Sequence, residues 1–372
     1  MARTRDQDAC PGALQVHQAA DGALARVRLP GGMITAPQLE ALALSATQWA
    51  SPAMELTSRG NIQVRAVTDT SAVAAEWAAA GLLPSDTHER VRNIVASPLS
   101  GRVGPYADIR TMVTELDDAI QAQPALAGLP GRFMFTIDDG RGDVSGLAAD
   151  AGVHLIGDDV AALLLAGRDT GVRLPPSQAV AALMTVAVRF AELRGTCWRI
   201  SELDDASPLS AGFAVTAEPG ATWEPATRGP IGWIEQNDGR VALGAAVPLG
   251  VLNARVGEYL AAINAPMVIT PWRSVLVFDL DEEVADVALR VLAPMGLVFD
   301  ENSPWLAVSA CTGSPGCDRS AADVRADAAA LIGEPAAGHR HFVGCDRACG
   351  SPAAGDVLVA TGDGYRLRDP HP

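Results

Sequence analysis

ALARVRLPGGMITAPQLEALALSATQWASPAMELTSRGNIQVRAV, residues 23–67, decides the fold. It reads as a strand, a Pro-Gly turn, a helix with apolar Leu39, Leu42 and Leu44, and then a long alternating strand. The same order returns in RVALGAAVPLGVLNARVGEYLAAINAPMVITPWRSVLVFDL, residues 240–280. Pro30 and Gly32 match Pro248 and Gly250, while Ser58-Arg59, expected near the centre of the last strand, matches Arg273-Ser274 in placement only. A helix follows each copy, DTSAVAAEWAAAGL (69–82) and LDEEVADVALRVLAPMG (280–296). This β-α-β-β-α pattern is that of an α+β ferredoxin-like half, and its return marks a duplication whose pseudo-twofold should bring the halves face to face.

Each half continues into a mixed α/β region. In the first, FMFTID (133–138) and VHLIG (153–157) read as strands, and PPSQAVAALMTVAVRFAELRG (175–195) as a helix that Ser177 could cap. In the second, WLAVSAC, HFVGC and VLVAT are the strands leading into and out of the cysteine loops. The expected organisation is a first ferredoxin-like half over 1–90, a first α/β region over 91–202, a linker rich in Pro, Gly and Ala over 203–232, a second half over 233–299 and a cysteine-bearing region over 300–372.

Four of the six cysteines fall in that last region, Cys311 and Cys317 in AVSACTGSPGCDRS and Cys345 and Cys349 in HFVGCDRACGSP. The spacing is C-x5-C, 27 residues, then C-x3-C. Zinc sites draw their close pairs from shorter knuckles, whereas an iron-sulfur cluster needs four thiolates spread around a cube and backbone that curls about it. Gly313, Pro315, Gly316, Gly344 and Gly350 provide such backbone, so a 4Fe-4S cluster is the expected occupant. A structural zinc site and unpaired buried thiols are the competing readings.

The 372 residues carry 48% hydrophobic content and a net charge of −16. That charge, without a basic stripe, argues against nucleic acid as partner. All 28 basic residues are arginine, so Schiff-base chemistry is excluded and anionic ligands fall to guanidinium forks. The N-terminus lacks an apolar signal core, and AVAALMTVAV (179–188) is too short to span a bilayer. Cys10 and Cys197 lie far from the motif. A cytoplasmic, reduced, monomeric protein is expected, with no membrane partner.

ELTSRGNIQVRAV (55–67), VRNIVASPLSG (91–101), LPGRFMF (129–135) and the paired cysteine motif together resemble the nitrite and sulfite reductase superfamily over nearly the whole chain. T-x-R-x-N-x-Q and the cysteines are the specific parts. The opening CPGALQVHQAADGALARVRLPGGMIT (10–35) and the short length most closely resemble the precorrin-3B synthase family of cobalamin biosynthesis. The resemblance implies an NADH-linked monooxygenase that takes precorrin-3A, reductant and O2, hydroxylates C20 and closes a γ-lactone. It implies a 4Fe-4S cluster on Cys311, Cys317, Cys345 and Cys349, a mononuclear non-haem iron for oxygen, and sirohaem as the less favoured cargo of the cleft. In the reductases the last cysteine also bridges to sirohaem.

The resemblance also puts Arg59, Arg65, Arg92 and Arg132 at basic positions facing the tetrapyrrole, where bidentate carboxylate pairing suits arginine. Where sulfite reductases have two lysines flanking a Phe, this chain has Arg132-Phe133-Met134, and a thioether delivers no proton. No G-x-G-x-x-G follows a strand, so electrons are expected from a separate reductase or ferredoxin. The −16 charge suits a basic reductase patch better than an acidic ferredoxin. His17, His88, His154, His339, His341 and His371 show no 2-His-1-carboxylate spacing, and no catalytic residue is assigned. A sirohaem nitrite or sulfite reductase and a non-catalytic electron-transfer protein are the alternatives.

Overall fold

The computed structural model describes residues 8–334, 338–352 and 354–368, so His371 lies outside the described residues. The chain forms two compact units that do not follow the expected boundaries. One takes residues 13–26, 34–82 and those from 227 onward, and therefore holds most of both repeats and the cysteine region. The other takes residues up to 12, 27–33 and 83–226.

Within the first unit the repeats exchange strands. One sheet runs His17–Ala19, Gly22–Val27, Ile62–Val67, Ala53–Leu56 and then Val251–Asn253, the last from the second repeat. The other runs Gly232–Glu235, Val241–Ala246, Ser274–Leu280, Met267–Ile269 and then Met33–Ile34, from the first. Val251–Asn253 is antiparallel to Ala53–Leu56, with Val251 opposite Glu55. Each sheet is thus completed by the other repeat, a tighter relation than two halves set face to face.

Helix Ala36–Trp49 starts at a capping box. Thr35 Oγ1 accepts from Gln38 N at 3.4 Å and Gln38 Oε1 accepts from Thr35 N at 3.0 Å. Leu39, Leu42, Ala43 and Ala46 make its buried face, and Ala43 and Leu39 close on Gly257 of helix Ala254–Ala262. Leu44, expected with them, is exposed because it sits off that i, i+3, i+4, i+7 stripe.

The expected long strand is a hairpin, and Ser58-Arg59 lie in its turn. Thr57 Oγ1 accepts from the N–H groups of Arg59 (3.3 Å) and Asn61 (3.1 Å). The second repeat builds the same turn, with Thr270 Oγ1 accepting from Trp272 and Ser274, each at 3.3 Å. This turn aligns Thr57 with Thr270 and Gly60 with Arg273, shifting the sequence pairing by two residues. The backbone bears it out: Gly60 (φ 66°) and Arg273 (φ 56°), Ala66 (53°) and Asp279 (62°), Gly31 (62°) and Leu249 (54°) are left-handed in both copies. The duplication is therefore written in dihedral angles more clearly than in side chains.

The cysteine region carries strands Val308–Ala310, Arg340–Val343 and Asp356–Ala360 in parallel, with Tyr365–Leu367 antiparallel at the edge. Helix Val324–Ala330 lays Val324 and Ala328 against Val308, Ala310, Phe342 and Ala360.

The second unit is built on a sheet ordered Arg168–Leu174, Ala161–Leu165, Ala151–Leu155, Phe135–Asp138 and Ile94–Ala96. Its last three strands are parallel and the rest antiparallel. Helices Arg110–Ala122 and Ala179–Leu193 contribute Val113, Leu116, Ile120, Leu183, Val186 and Phe190 to its core. Ser177 does not cap the latter: Pro176–Gln178 is a 3-10 turn, so the N-cap is Gln178, without a side-chain bond. Part of the expected linker is structural here, with Val215 bridged to Val172 and the Trp223 ring 4.5 Å from that of His154. No helix among the described residues is long and apolar enough to cross a membrane.

Gly244, in the strand beside Gly232–Glu235, leaves no room for a side chain, since a Cβ there would overlap the Pro230 carbonyl and lie 3.0 Å from Ile231 Cα. Gly244→Ala should cost about 1–3 kcal/mol through overpacking against backbone, read as a lowered denaturant midpoint.

Candidate iron-sulfur and tetrapyrrole site

The four motif cysteines lie on the loops after Val308–Ala310 and Arg340–Val343, at the same end of two parallel strands. All are free thiols, and Cys311 and Cys349 each lie within electrostatic reach of the other three. Burial pushes the Cys311 thiol above its ordinary value, and Cys317 and Cys345 add to the shift against N–H groups of Gly344 and Gly313. The Gly344 N–H donates to Cys311 Sγ at 3.4 Å. Burial likewise raises Cys349, followed by the thiols of Cys311 and Cys345.

Three half-buried thiols and an exposed one, Cys349, with backbone N–H groups directed at Cys311, fit an anionic iron-sulfur cluster, whose charge such donors stabilise. Among the described residues no group of three or more His, Cys, Asp and Glu is gathered as a single metal ion requires. The mononuclear iron implied by the resemblance therefore has no ligand set among them.

The first loop is held from the first repeat. Arg65 closes its fork on Asp21, Nε to Oδ2 at 2.9 Å and Nη2 to Oδ1 at 2.8 Å, and Nη2 also donates to the Gly316 carbonyl at 2.5 Å. A polar row continues on the same sheet. Arg26 donates to Gln63 Oε1, Gln63 Nε2 donates to Glu55 Oε2 at 2.5 Å, and Glu55 Oε1 accepts from Arg325 Nη2 at 2.5 Å. Gln63 and Glu55 are cross-strand partners, and Arg325 comes from the helix after the cysteine loop.

The second loop is held by His341 and Arg273. His341 Nε2 lies 3.0 Å from the Cys349 carbonyl, and Ser309 Oγ lies 2.7 Å from both His341 Nδ1 and His339 Nε2. Burial first, then the charge of Arg273, lowers His341 to about 3, so its ring is neutral at pH 7. A carbonyl only accepts, so His341 carries its proton on Nε2 and its Nδ1 accepts from the Ser309 hydroxyl. His339 Nε2 must then donate to Ser309. The contact left without a proton is the longest, His339 Nδ1 to Leu306 O at 3.2 Å.

Of the other arginines singled out, Arg92 is buried and paired bidentately with Asp117, at 2.6 and 2.7 Å. Arg132 is exposed, 5.3 Å from the Trp198 ring, and Arg59 is half-buried at its hairpin tip. Met134 is buried, its N–H held by Asp150 Oδ2 at 2.9 Å. The second unit also holds a polar cluster at the carboxyl ends of its parallel strands. Asp138 accepts from the N–H groups of Gly140, Gly142, Val144 and Ser145, and Ser145 Oγ lies 3.0 Å from His154 Nδ1.

Residues 17–79 match the family model described as the nitrite/sulfite reductase ferredoxin-like half domain. The solved structure of Mycobacterium tuberculosis NirA protein superposes with a TM-score of 0.78 at 18% identity, covering 93% of this chain and 74% of that one. Residues 17–79 therefore resemble that half domain, and the chain as a whole shares the fold of that solved structure. The chain is also 29% identical over 96% of its length, and 82% of the relative, to a protein of Sinorhizobium sp named precorrin-3B synthase. It is 31% identical to the ferredoxin–nitrite reductase of Synechococcus elongatus over 32% of this chain and 25% of that protein.

The superfamily motifs led to the thiols and to Arg65 but not to Asp21, Glu55, Arg273, Arg325 or Ser309. Asp21 and Arg325 carry no local signal, because their partners lie 44 and 270 residues away. Arg273 had one, its place in the repeat.

Asp143 offers a pH test of the second unit. Burial, then the charges of Asp138 and Asp139, raises its carboxyl to about 7, against the Ser97 hydroxyl at 2.6 Å and Arg141. The folded chain keeps this proton after the unfolded chain has released it near pH 4, so this contribution to stability is complete below that pH and is lost as pH rises towards 7. Asp143→Asn should flatten the fall in denaturant midpoint between pH 5 and 8, a difference on the order of a few kcal/mol. Parallel profiles for the two chains would contradict this.

Proposed function

We propose that this chain is an oxidoreductase of the precorrin-3B synthase type, inserting oxygen at C20 of precorrin-3A and closing a γ-lactone from a ring A acetate. The observation that carries the reading is the end-to-end similarity to the Sinorhizobium protein of that name. One atom of O2 enters the product and the other leaves as water, with two electrons and two protons from an external donor, a reductase linked to NADH or a ferredoxin. A cytoplasmic location and a monomer belong to the same proposal.

Cys311, Cys317, Cys345 and Cys349 would hold a 4Fe-4S cluster, which when bound supplies one-electron transfer. Arg65 and Arg92 already have carboxylate partners, so their part would be to set the backbone around them. For Arg59, and separately for Arg132, the proposed part is recognition of an anionic group, with the planar fork giving orientation as well as charge.

The second reading is a sirohaem nitrite or sulfite reductase, favoured by the Synechococcus match. Against it stands Met134, apolar and buried at a position where the sulfite reductases carry lysine. A strong haem Soret band in the purified chain would favour this second reading.

Cys349→Ser should remove most of the iron and acid-labile sulfide from anaerobically purified protein, since a hard alcohol replaces a soft thiolate poorly. Full retention of both would end the ligand assignment. Turnover of precorrin-3A under isotopically labelled O2 should place one labelled atom in the product, with no competing turnover of nitrite or sulfite. Label arriving from water instead, or sustained sulfite reduction, would restore the reductase reading.

A further inference from the structure

Arg273 occupies a backbone position at which the first repeat has glycine. Its φ of 56° matches the 66° of Gly60, and the two turns share their Thr Oγ1 hydrogen bonds. A left-handed arginine is strained, and such strain persists where the surrounding structure holds it. Two contacts account for it. Arg273 Nη2 donates to the Gly350 carbonyl at 2.8 Å, one residue beyond Cys349, and its Cδ fills the space beside Gly250, which has no Cβ to meet it.

Its charge is also distinctive. Arg65 is paired with Asp21 and Arg325 with Glu55, whereas Arg273 forms no ion pair among the described residues. Its nearest carboxylate influence is that same Glu55. Burial, then the charge of Arg325, lowers it only to about 10, so it stays protonated at neutral pH, within electrostatic reach of Cys311.

We propose that Arg273 is a positioning residue for the cluster: it clamps the Cys349 loop and, as an uncompensated cation, raises the cluster's reduction potential. The inference rests on the iron-sulfur reading. The step it governs is transfer of one electron from the external donor to the thiolate-bound cluster, which thereby gains one negative charge. A fixed cation favours the more negative state, and hydrogen bonds and charges around a cluster are the protein's means of setting its potential.

Arg273→Gly restores the residue of the first repeat and relieves the left-handed strain, so the fold should be retained. The measurement is a redox titration followed by electron paramagnetic resonance, beside iron and sulfide analysis. The Gly variant should be at least tenfold harder to reduce, a shift of about 59 mV or more to lower potential for one electron. Arg273→Lys, which keeps the charge, should fall between it and the parent. Equal potentials in the parent and a fully loaded Gly variant would overturn the proposal, and so would a Lys variant shifted as far as the Gly one. Absence of iron and sulfide from the parent itself would instead remove the cluster reading. If the Gly variant alone takes up no cluster, amide exchange in the apo chains decides: residues 345–352 should exchange at least tenfold faster than in the parent, and unchanged exchange overturns the clamp.

Discussion

The fork of Arg65 is the interaction on which the cysteine site depends. It closes on Asp21 with two hydrogen bonds and gives a third to the Gly316 carbonyl, 251 residues further along the chain. A point charge on a flexible stem would not hold both at once, because the guanidinium presents its donors in a fixed planar array. Asp21 keeps the cation balanced where burial would otherwise weaken it, and it aims the remaining donor at the loop between Cys311 and Cys317. Lys at position 65 would keep the charge and lose the geometry.

The absence of lysine acquires a structural meaning here. Around the thiols the chain places Arg65, Arg273 and Arg325, each donating from an Nη2 to a different acceptor: the Gly316 carbonyl, the Gly350 carbonyl and Glu55. Two serve the loops directly. The third ties the helix after the first loop to the sheet of the first repeat, so the cysteine region is fastened to both repeats by side chains rather than by a continuous sheet.

Much of this fold was legible in the sequence because the signals were local and periodic. The hydrophobic stripe of Ala36–Trp49, the Pro-Gly turns and the strands flanking the cysteines needed no long-range information. Ala161–Leu165 and Arg168–Leu174 escaped notice since AALLL has no alternation and Gly171 interrupts the next strand. Leu44 misled because an apolar residue on a helix is not thereby on its buried face. The linker reading of 203–232 followed composition, yet Val215 and Trp223 find partners that only the fold supplies. At the site, thiol spacing was readable, while the braces from Asp21, Glu55, Ser309 and Arg273 depend on distant pairings that leave no local pattern.

The two repeats share a backbone and differ in what stands at its left-handed points, and this explains how one fold serves two tasks. At the first 3-10 turn, Gly31 lets the chain lie against Val113, whose Cγ1 would be 3.1 Å from a Cβ there, with Ala96 close by. Close approach to the α/β region that follows the first repeat is achieved by removing a side chain. At the matching turn, Leu249 accepts the strained φ of 54° and packs on the cluster of Val308, Ala310, Val324 and Phe342, in the region that follows the second repeat. Gly60 and Arg273 repeat the contrast one hairpin later. In the second repeat these two strained positions, Leu249 and Arg273, carry side chains that reach the cysteine-bearing sheet or its loops. Strain retained twice, at symmetric points and towards one target, is better explained by the need to hold that sheet than by chance drift from glycine.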